Sequence, residues 1–193
     1  MSARGPYAKG IAKREQILEI ALDLFAQKGY DRVSVREIAR ESGLSQAGLL
    51  HHFSTKEELF LEVLRRRDDR DGDPVEHRHI HSVEHLIGAV ERNASEPGLV
   101  RLFVSMSAES TDEASLAREF FVSRYQWLRD EVATDIRKLQ ASGEAPESLD
   151  PDAVASILIA AADGLQLQWL LDKDTVDMGV LMTTLWDSLR QSH

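Results

Sequence analysis

The sequence predicts an all-α protein, with a small N-terminal helix-turn-helix head followed by a larger helical body. Three observations carry that reading. Apolar residues recur every three or four positions through most of the chain. β-branched runs with period-two alternation are absent from it. The stretch 33–53 reads as two short helices joined by a tight turn, the second presenting small and polar side chains outward.

The elements follow in order. Residues 1–8 read as a loose arm. Helix one is expected over about 10–29, with Ile17, Leu18, Ala21, Leu22 and Phe25 as its buried stripe and Gly29 as its stop. Ser34 and Glu37 have the spacing of a capping box, so helix two starts at Ser34. Gly43 suits the turn, and Ser45 is the N-cap expected for helix three. Either Ser54 with Glu57 or Thr55 with Glu58 caps helix four, which is expected to run to about Arg67. The polar, turn-rich segment 68–74 then divides a head, residues 1–67, from a body, residues 68–193. Five helices are expected in the body, at about 81–94, 98–109, 114–141, 151–172 and 177–191. Pro97 and Gly98 separate the first two, 143–151 is a loop, and Asp150 with Pro151 suits a helix start.

Composition narrows the function. With 193 residues the chain can bury a sizeable core. It has no cysteine, which excludes disulfides, a thiol nucleophile and Cys-based zinc sites. No run of eighteen apolar residues occurs, and the first residues lead into no apolar signal region. A cytoplasmic protein with no membrane partner is the expectation. Net charge is −10, unevenly spread. Residues 1–56 hold 9 Lys and Arg against 6 Asp and Glu, while the remainder hold 14 against 27. A mildly basic head on an acidic body suits a nucleic-acid partner, because screening makes phosphate attraction local.

Residues 11–63 carry an ordered series: Ile17-Leu18, Ala21, Phe25, Gly29-Tyr30, Val35, Ile38-Ala39, Gly43-Leu44-Ser45, Gly48, Leu49, His52-Phe53, Lys56 and Leu59. In this the chain resembles the tetracycline-repressor (TetR) family of bacterial transcriptional regulators. Ile17, Ala21, Phe25, Val35, Ile38, Ala39, Leu44, Leu49 and Phe53 are expected to form the head's core. Gln46 and Ala47 begin helix three, where Gln can bond adenine bidentately and Ala can pack on a thymine methyl. Gly48 is expected to let that helix approach the groove or its neighbour closely. His51 should point outward. The resemblance implies phosphate contacts for His52 and Lys56, and Ser34 and Arg36 suit a similar backbone role at the start of helix two. Ser45 caps the recognition helix. Leu50 stands where the family usually carries Tyr, so a phosphate-binding hydroxyl is lost there. Arg4, Lys9, Lys13 and Arg14 form a basic arm expected to add phosphate contacts.

The resemblance further implies a homodimer reading a near-palindromic DNA operator. Residues 154–171 are apolar nearly all round, unlike the outer helix of a monomer. Ala160, Ala161 and Gly164 permit close helix approach, and Leu181, Met182, Leu185, Trp186 and Leu189 stripe the last helix. In the family these two helices pair with their mates as a four-helix bundle. The middle helices should enclose a small-molecule effector. Phe103, Met106, Phe120, Phe121, Tyr125, Trp127 and Trp169 supply apolar walls; Ser107, Glu109, Gln126, Asp163 and Gln166 supply polar anchors. The effector is expected to release DNA through helix four.

A histidine cluster, His77, His79, His81 and His85, raises an alternative, a metal-responsive regulator. His81 and His85 at i, i+4 share a helix face and could bind zinc or nickel with a third ligand. A regulator that binds DNA without any ligand is the other alternative. No H-E-x-x-H, G-x-S-x-G or phosphate-loop motif occurs, so neither an enzyme nor a cofactor is expected.

Overall fold

The structure is a computed structural model that describes residues 6–28, 32–70 and 82–191. The described residues form helices α1 (Pro6–Lys28), α2 (Val35–Glu41), α3 (Gln46–His52), α4 (Lys56–Arg70), α5 (Val83–Asn93), α6 (Pro97–Glu109), α7 (Ala117–Ser142), α8 (Pro151–Leu171) and α9 (Met178–Gln191), with no strand among them. The all-α architecture is as the periodicity predicts.

Local chemistry sets most boundaries. Ser34 Oγ accepts from Glu37 N at 3.2 Å and opens α2. Gly43, at φ +69°, closes α2: Leu44 N reaches back to Ala39 O at 2.8 Å. Ser45 Oγ accepts from Gly48 N at 3.0 Å and opens α3. At α4 the second of the two expected caps is used, with Glu58 N donating to Thr55 Oγ1 at 3.0 Å and Ser54 N donating to Glu58 Oε2 at 2.7 Å. Asp150 accepts from Asp152 N and Ala153 N ahead of Pro151 at the first turn of α8.

Three boundaries differ from expectation. Helix α1 already begins at Pro6, inside the expected arm. Helix α4 continues through Asp68, Asp69 and Arg70, where the sequence predicts the linker. Charged residues do not by themselves break a helix, so the polarity of this segment marks no boundary. Helix α7 begins at 117 rather than 114, because Asp112 Oδ1 accepts from Ala114 N at 2.9 Å and holds a turn there. The stop at Gly29 and most of the expected linker lie outside the described residues.

Two apolar clusters result. The first joins the head's Ile17, Phe25, Ile38, Leu49, Phe53, Phe60 and Leu64 to Leu102, Phe103 and Met106 of α6 and Phe121 of α7. The second packs α5, the later part of α7, α8 and α9 around Val132, Ile136, Leu158, Met182 and Trp186. Packing therefore continues from head to body through α4, α6 and the start of α7. By length and composition α8 is apolar enough to cross a bilayer; its inward side packs against α6, α7 and α9.

Candidate nucleic-acid interface and body site

The head core predicted from sequence is buried throughout except for Leu44, which is half-buried against it. That core holds α2 and α3 at a fixed angle and leaves an open concavity of about 770 Å³ between them. Ser34, Arg36, Glu37, Arg40, Gly43, Leu44, Ser45 and Gln46 line it. The structure thus brings four expected DNA-contacting residues, Ser34, Arg36, Ser45 and Gln46, to one concave face. Ala47, His51 and Lys56 are exposed, and His52 is half-buried. Lys56 Nζ lies over the Phe60 ring at 5.0 Å.

Two expected residues work differently. Leu50 is half-buried and packs against the head core, so its side chain replaces a polar contact with packing. A Cβ on Gly48 would meet Ser45 Oγ at 3.3 Å and Leu44 side-chain atoms at 3.8 Å. The glycine thus makes room for its own turn and cap rather than for a neighbouring helix.

Sequence reasoning missed Glu37 and Arg40 as members of this face. Their signal was present, since Arg36 and Arg40 share a helix face at i, i+4. Glu37 accepts from Lys28 Nζ at 2.7 Å and lies 3.6 Å from Arg40 Nη2. The Lys28 hydrogen bond holds its carboxyl below the usual carboxylate range. An ionised carboxylate offers acceptors only, so at this face it disfavours an anion.

Two residues of the basic arm make contacts within the head. Lys13 Nζ donates to Ser42 O at 2.6 Å, and Arg14 Nη1 donates to His52 O at 2.8 Å. Both satisfy carbonyls at helix ends that have no intrahelical partner. In the structure these two cations bond the fold's own carbonyls. The side chains of Arg4 and Lys9 lie outside the described residues.

In the body, the expected effector residues fall into two groups. Phe103, Met106, Phe120 and Tyr125 belong to the first cluster or its edge, whereas Trp169 belongs to the second with Trp127 at its edge, and Gln166 is a buried polar residue. Tyr125 borders both. Ring centroids of Phe103 and Phe121 are 5.4 Å apart, and those of Phe121 and Tyr125 6.2 Å. Tyr125 Oη donates to Asp163 Oδ2 at 2.5 Å; burial, and then the Asp163 charge, push the phenol pKa strongly upward. Gln166, one turn further along α8, is buried and accepts from Asn93 Nδ2 at 3.5 Å. Asn93 was absent from the sequence reading; only its burial in a helix end reveals it. Arg124 sits over the Phe103 ring at 5.0 Å, and Lys173 over Trp169 at 4.8 Å. Ser107 Oγ donates within its own helix, to Val104 O, and Gln126 and Glu109 are exposed.

The last two helices leave an apolar strip outward. Ile157 is 49% exposed, Leu171 81% and Val180 60%; Leu167 and Leu181 are also exposed. Ala160 lies on this face, with Ala161, Gly164, Leu185 and Leu189 half-buried beside it. Trp186 does not: it is 3% exposed and packs in the body's own core, so its place is inside the protomer. A Cβ on Gly164 would meet nothing within 4 Å.

His77, His79 and His81 lie outside the described residues, and His85 is exposed on the first turn of α5. Among the described residues no three His, Asp or Glu side chains gather as a metal site.

The chain is similar to known proteins along most of its length. Residues 17–63 match the profile of bacterial regulatory proteins of the tetR family. Residues 83–191 match that of the BetI-type transcriptional repressor C-terminal region. The transcriptional repressor Rv1474c of Mycobacterium tuberculosis is 24% identical over 186 residues, covering 94% of this chain and 95% of its own. The repressor AcnR of Corynebacterium efficiens is 35% identical over 160 residues, covering 80% and 69%. Among solved structures, a transcriptional regulator of Saccharomonospora viridis in complex with choline superposes with a TM-score of 0.70. It is 31% identical, with 93% of this chain and 96% of that one covered.

Proposed function

This chain belongs to the tetR family of bacterial regulatory proteins, and from that premise we propose that it is a repressor whose dimer holds a palindromic operator until a small molecule enters the body. The concave α2–α3 face carries the reading: its residues line one groove, and the recognition helix is capped so that its first turn faces outward. Gln46 and Ala47 read base edges, with Arg36 and Glu37 beside them. Ser34, His51, His52 and Lys56 hold phosphates, and Ser45 and Leu50 fix the helix that presents them. Such a repressor works on DNA in the cytoplasm. Functionally the chain divides at 67/68, although packing crosses that line.

The outward strip on α8 and α9 supports a two-fold dimer. Ile157, Ala160, Gly164, Leu167 and Leu171 recur with a spacing of three or four, the pattern of a helix–helix seam. A second copy burying that strip spaces the two heads for successive major grooves.

For the effector, the reading supported best is a compact organic cation seated between α6, α7 and α8. Asp163 supplies a carboxylate, Tyr125, Phe103 and Phe121 supply aromatic faces, and Gln166 and Asn93 supply amides on the same side of α8. The 31% identical Saccharomonospora regulator was crystallised with choline. The test is retention of DNA from the chain's upstream intergenic region, titrated with choline and with 3,3-dimethyl-1-butanol, its uncharged carbon analogue. Release by choline alone, abolished in Asp163→Asn, is the expected result. Equal release by both compounds refutes the cationic class. No specific retention of that DNA, or of any duplex enriched from a random pool, refutes the operator-binding reading.

A further inference from the structure

Helix α7 begins at a position whose own residue cannot cap it. Leu116 precedes it in helical conformation and offers no polar side chain. A helix start leaves backbone N–H groups without intrahelical partners, and burial makes them costly. Besides the neighbouring Ser115, an acceptor comes from the head. Glu57, second residue of α4, extends Oε1 to Ala117 N at 3.3 Å and to Ser115 Oγ at 2.9 Å. Ala117 is fully buried, so water cannot replace the carboxylate easily. Ser115 Oγ completes the arrangement by accepting from Ala117 N at 3.2 Å. Arg65, two turns further along α4, covers the Phe120 ring of α7 at 5.4 Å.

We propose that Glu57 is a positioning residue for operator binding: by capping α7 across the head–body boundary, it sets where the body holds the DNA-binding head. The inference rests on the operator-binding reading above. Its physical basis is the place of Glu57 in the chain. The residue immediately before it, Lys56, is a candidate phosphate contact, and Thr55 and Glu58 form the cap that starts α4. Apolar packing between α4, α6 and α7 tolerates sliding, whereas a two-point hydrogen bond to one carboxylate oxygen fixes register. A dimer meets its operator with two heads at a required separation. Heads already held in place lose less freedom on binding.

Charge and capping make opposite predictions, which separates them. Removing a carboxylate near the DNA face lowers repulsion from phosphate and tightens binding. Removing the cap loosens the head and weakens binding. Affinity is measured on a duplex enriched by the wild-type protein from a random pool, at fixed salt and well below the unfolding temperature of each variant. Glu57→Ala is expected to weaken specific binding about tenfold, within the usual range of coupling between sites. Glu57→Gln keeps an oxygen that accepts both bonds and is expected to bind at least as tightly as wild type. Ser115→Ala, which removes one of the two bonds to Glu57 together with the local acceptor of Ala117 N, is expected to weaken binding in the same direction by less, and serves if Glu57→Ala does not fold.

Tighter binding by Glu57→Ala overturns the proposal in favour of simple charge repulsion. Wild-type affinity with only a lowered unfolding temperature overturns it in favour of a purely structural cap, as does wild-type affinity in Ser115→Ala. Weakening by Glu57→Gln equal to that of Glu57→Ala overturns it too, since the cap survives in the former. A wild-type chain that enriches no duplex overturns the operator-binding reading itself, and this inference falls with it.

Discussion

Arg14 on α1 donates through Nη1 to the backbone oxygen of His52 at 2.8 Å, closing the first helix of the head onto the last turn of the recognition helix. The same guanidinium lies over the Phe53 ring at 4.2 Å and meets Glu62 of α4 at 3.1 Å. One half-buried side chain therefore links α1, the end of α3 and α4. A hydrogen bond from a charged donor contributes about 1.5–3 kcal/mol, the lower end applying where solvent reaches it. Arg14→Ala is expected to destabilise the protein by about 2 kcal/mol, on that basis. A shift of the urea midpoint to lower concentration at unchanged slope checks it. If the midpoint stays and only DNA affinity falls, Arg14 is a phosphate ligand after all.

The recognition face makes a second, separable prediction. Gln46 lines the α2–α3 concavity, whereas Lys56 starts α4 away from it. Gln46→Ala is expected to cost about 1–3 kcal/mol on the selected duplex and to relax preference at one base position. Lys56→Ala is expected to weaken binding to all duplexes alike and to reduce the salt dependence by about one phosphate contact. Affinities across single-base variants at several salt concentrations distinguish the two. Swapped behaviour would reverse the assigned roles.

Helix existence and most helix ends were legible in the sequence because short-range chemistry decides them. Ser34, Ser45 and Asp150 each cap the helix they precede, and Gly43 and Gly143 take the left-handed conformations, φ +69° and +79°, that end α2 and α7. The placing of Ser34, Arg36, Ser45 and Gln46 on one face was legible because each follows from its position on a short helix, whereas Glu37 and Arg40 beside them were missed. Most of what else sequence reasoning missed depends on partners distant in the chain. Lys13 and Arg14 read as free cations until Ser42 O and His52 O, 29 and 38 residues away, occupy them. Trp186 fits the same periodic stripe as Leu185 and Leu189, and a stripe cannot tell the protomer's core from a seam with a second copy. Asn93 and Gln166 are 73 residues apart, and neither signals the other.

Asp135 supplies a pH-dependent test in the body. Its Oδ2 accepts from Val83 N at 3.0 Å at the start of α5. Burial raises its pKa above the ordinary value of 3.8; the Val83 hydrogen bond opposes that and the Glu84 charge adds to it, while Lys138 and His85 oppose it. A folded-state pKa above the unfolded one means that the native protein binds the proton more tightly. The resulting stabilisation is present below the unfolded value and is lost as pH rises through the folded one. Asp135→Asn keeps an oxygen for Val83 N and removes the charge. It is expected to equal or exceed wild type in stability at pH 7 and to flatten the stability profile just above pH 3.8. A variant less stable than wild type at pH 7 would mean that the carboxylate's charge strengthens this cap by more than its burial costs.

The outward strip of α8 sets the final test. Ile157 is 49% exposed in the protomer, so Ile157→Glu places its charge in water if the chain is alone, and in a dry seam if two copies pair. Burying an unpaired charge in such a seam costs several kcal/mol. The expected result is a shift from dimer to monomer in sedimentation, with loss of specific operator binding and little change in protomer stability. Gly164→Ala probes the same face more finely. A Cβ there meets nothing within 4 Å in the protomer, and replacing glycine inside a helix by alanine stabilises it by about 1 kcal/mol. An isolated protomer therefore gains from this change. A seam in which two backbones approach at Gly164 has no room for the methyl, and the dimer dissociation constant rises while the protomer itself resists denaturant better. If both quantities improve together, the close approach lies elsewhere on α8, and Ala160 is the next position to enlarge.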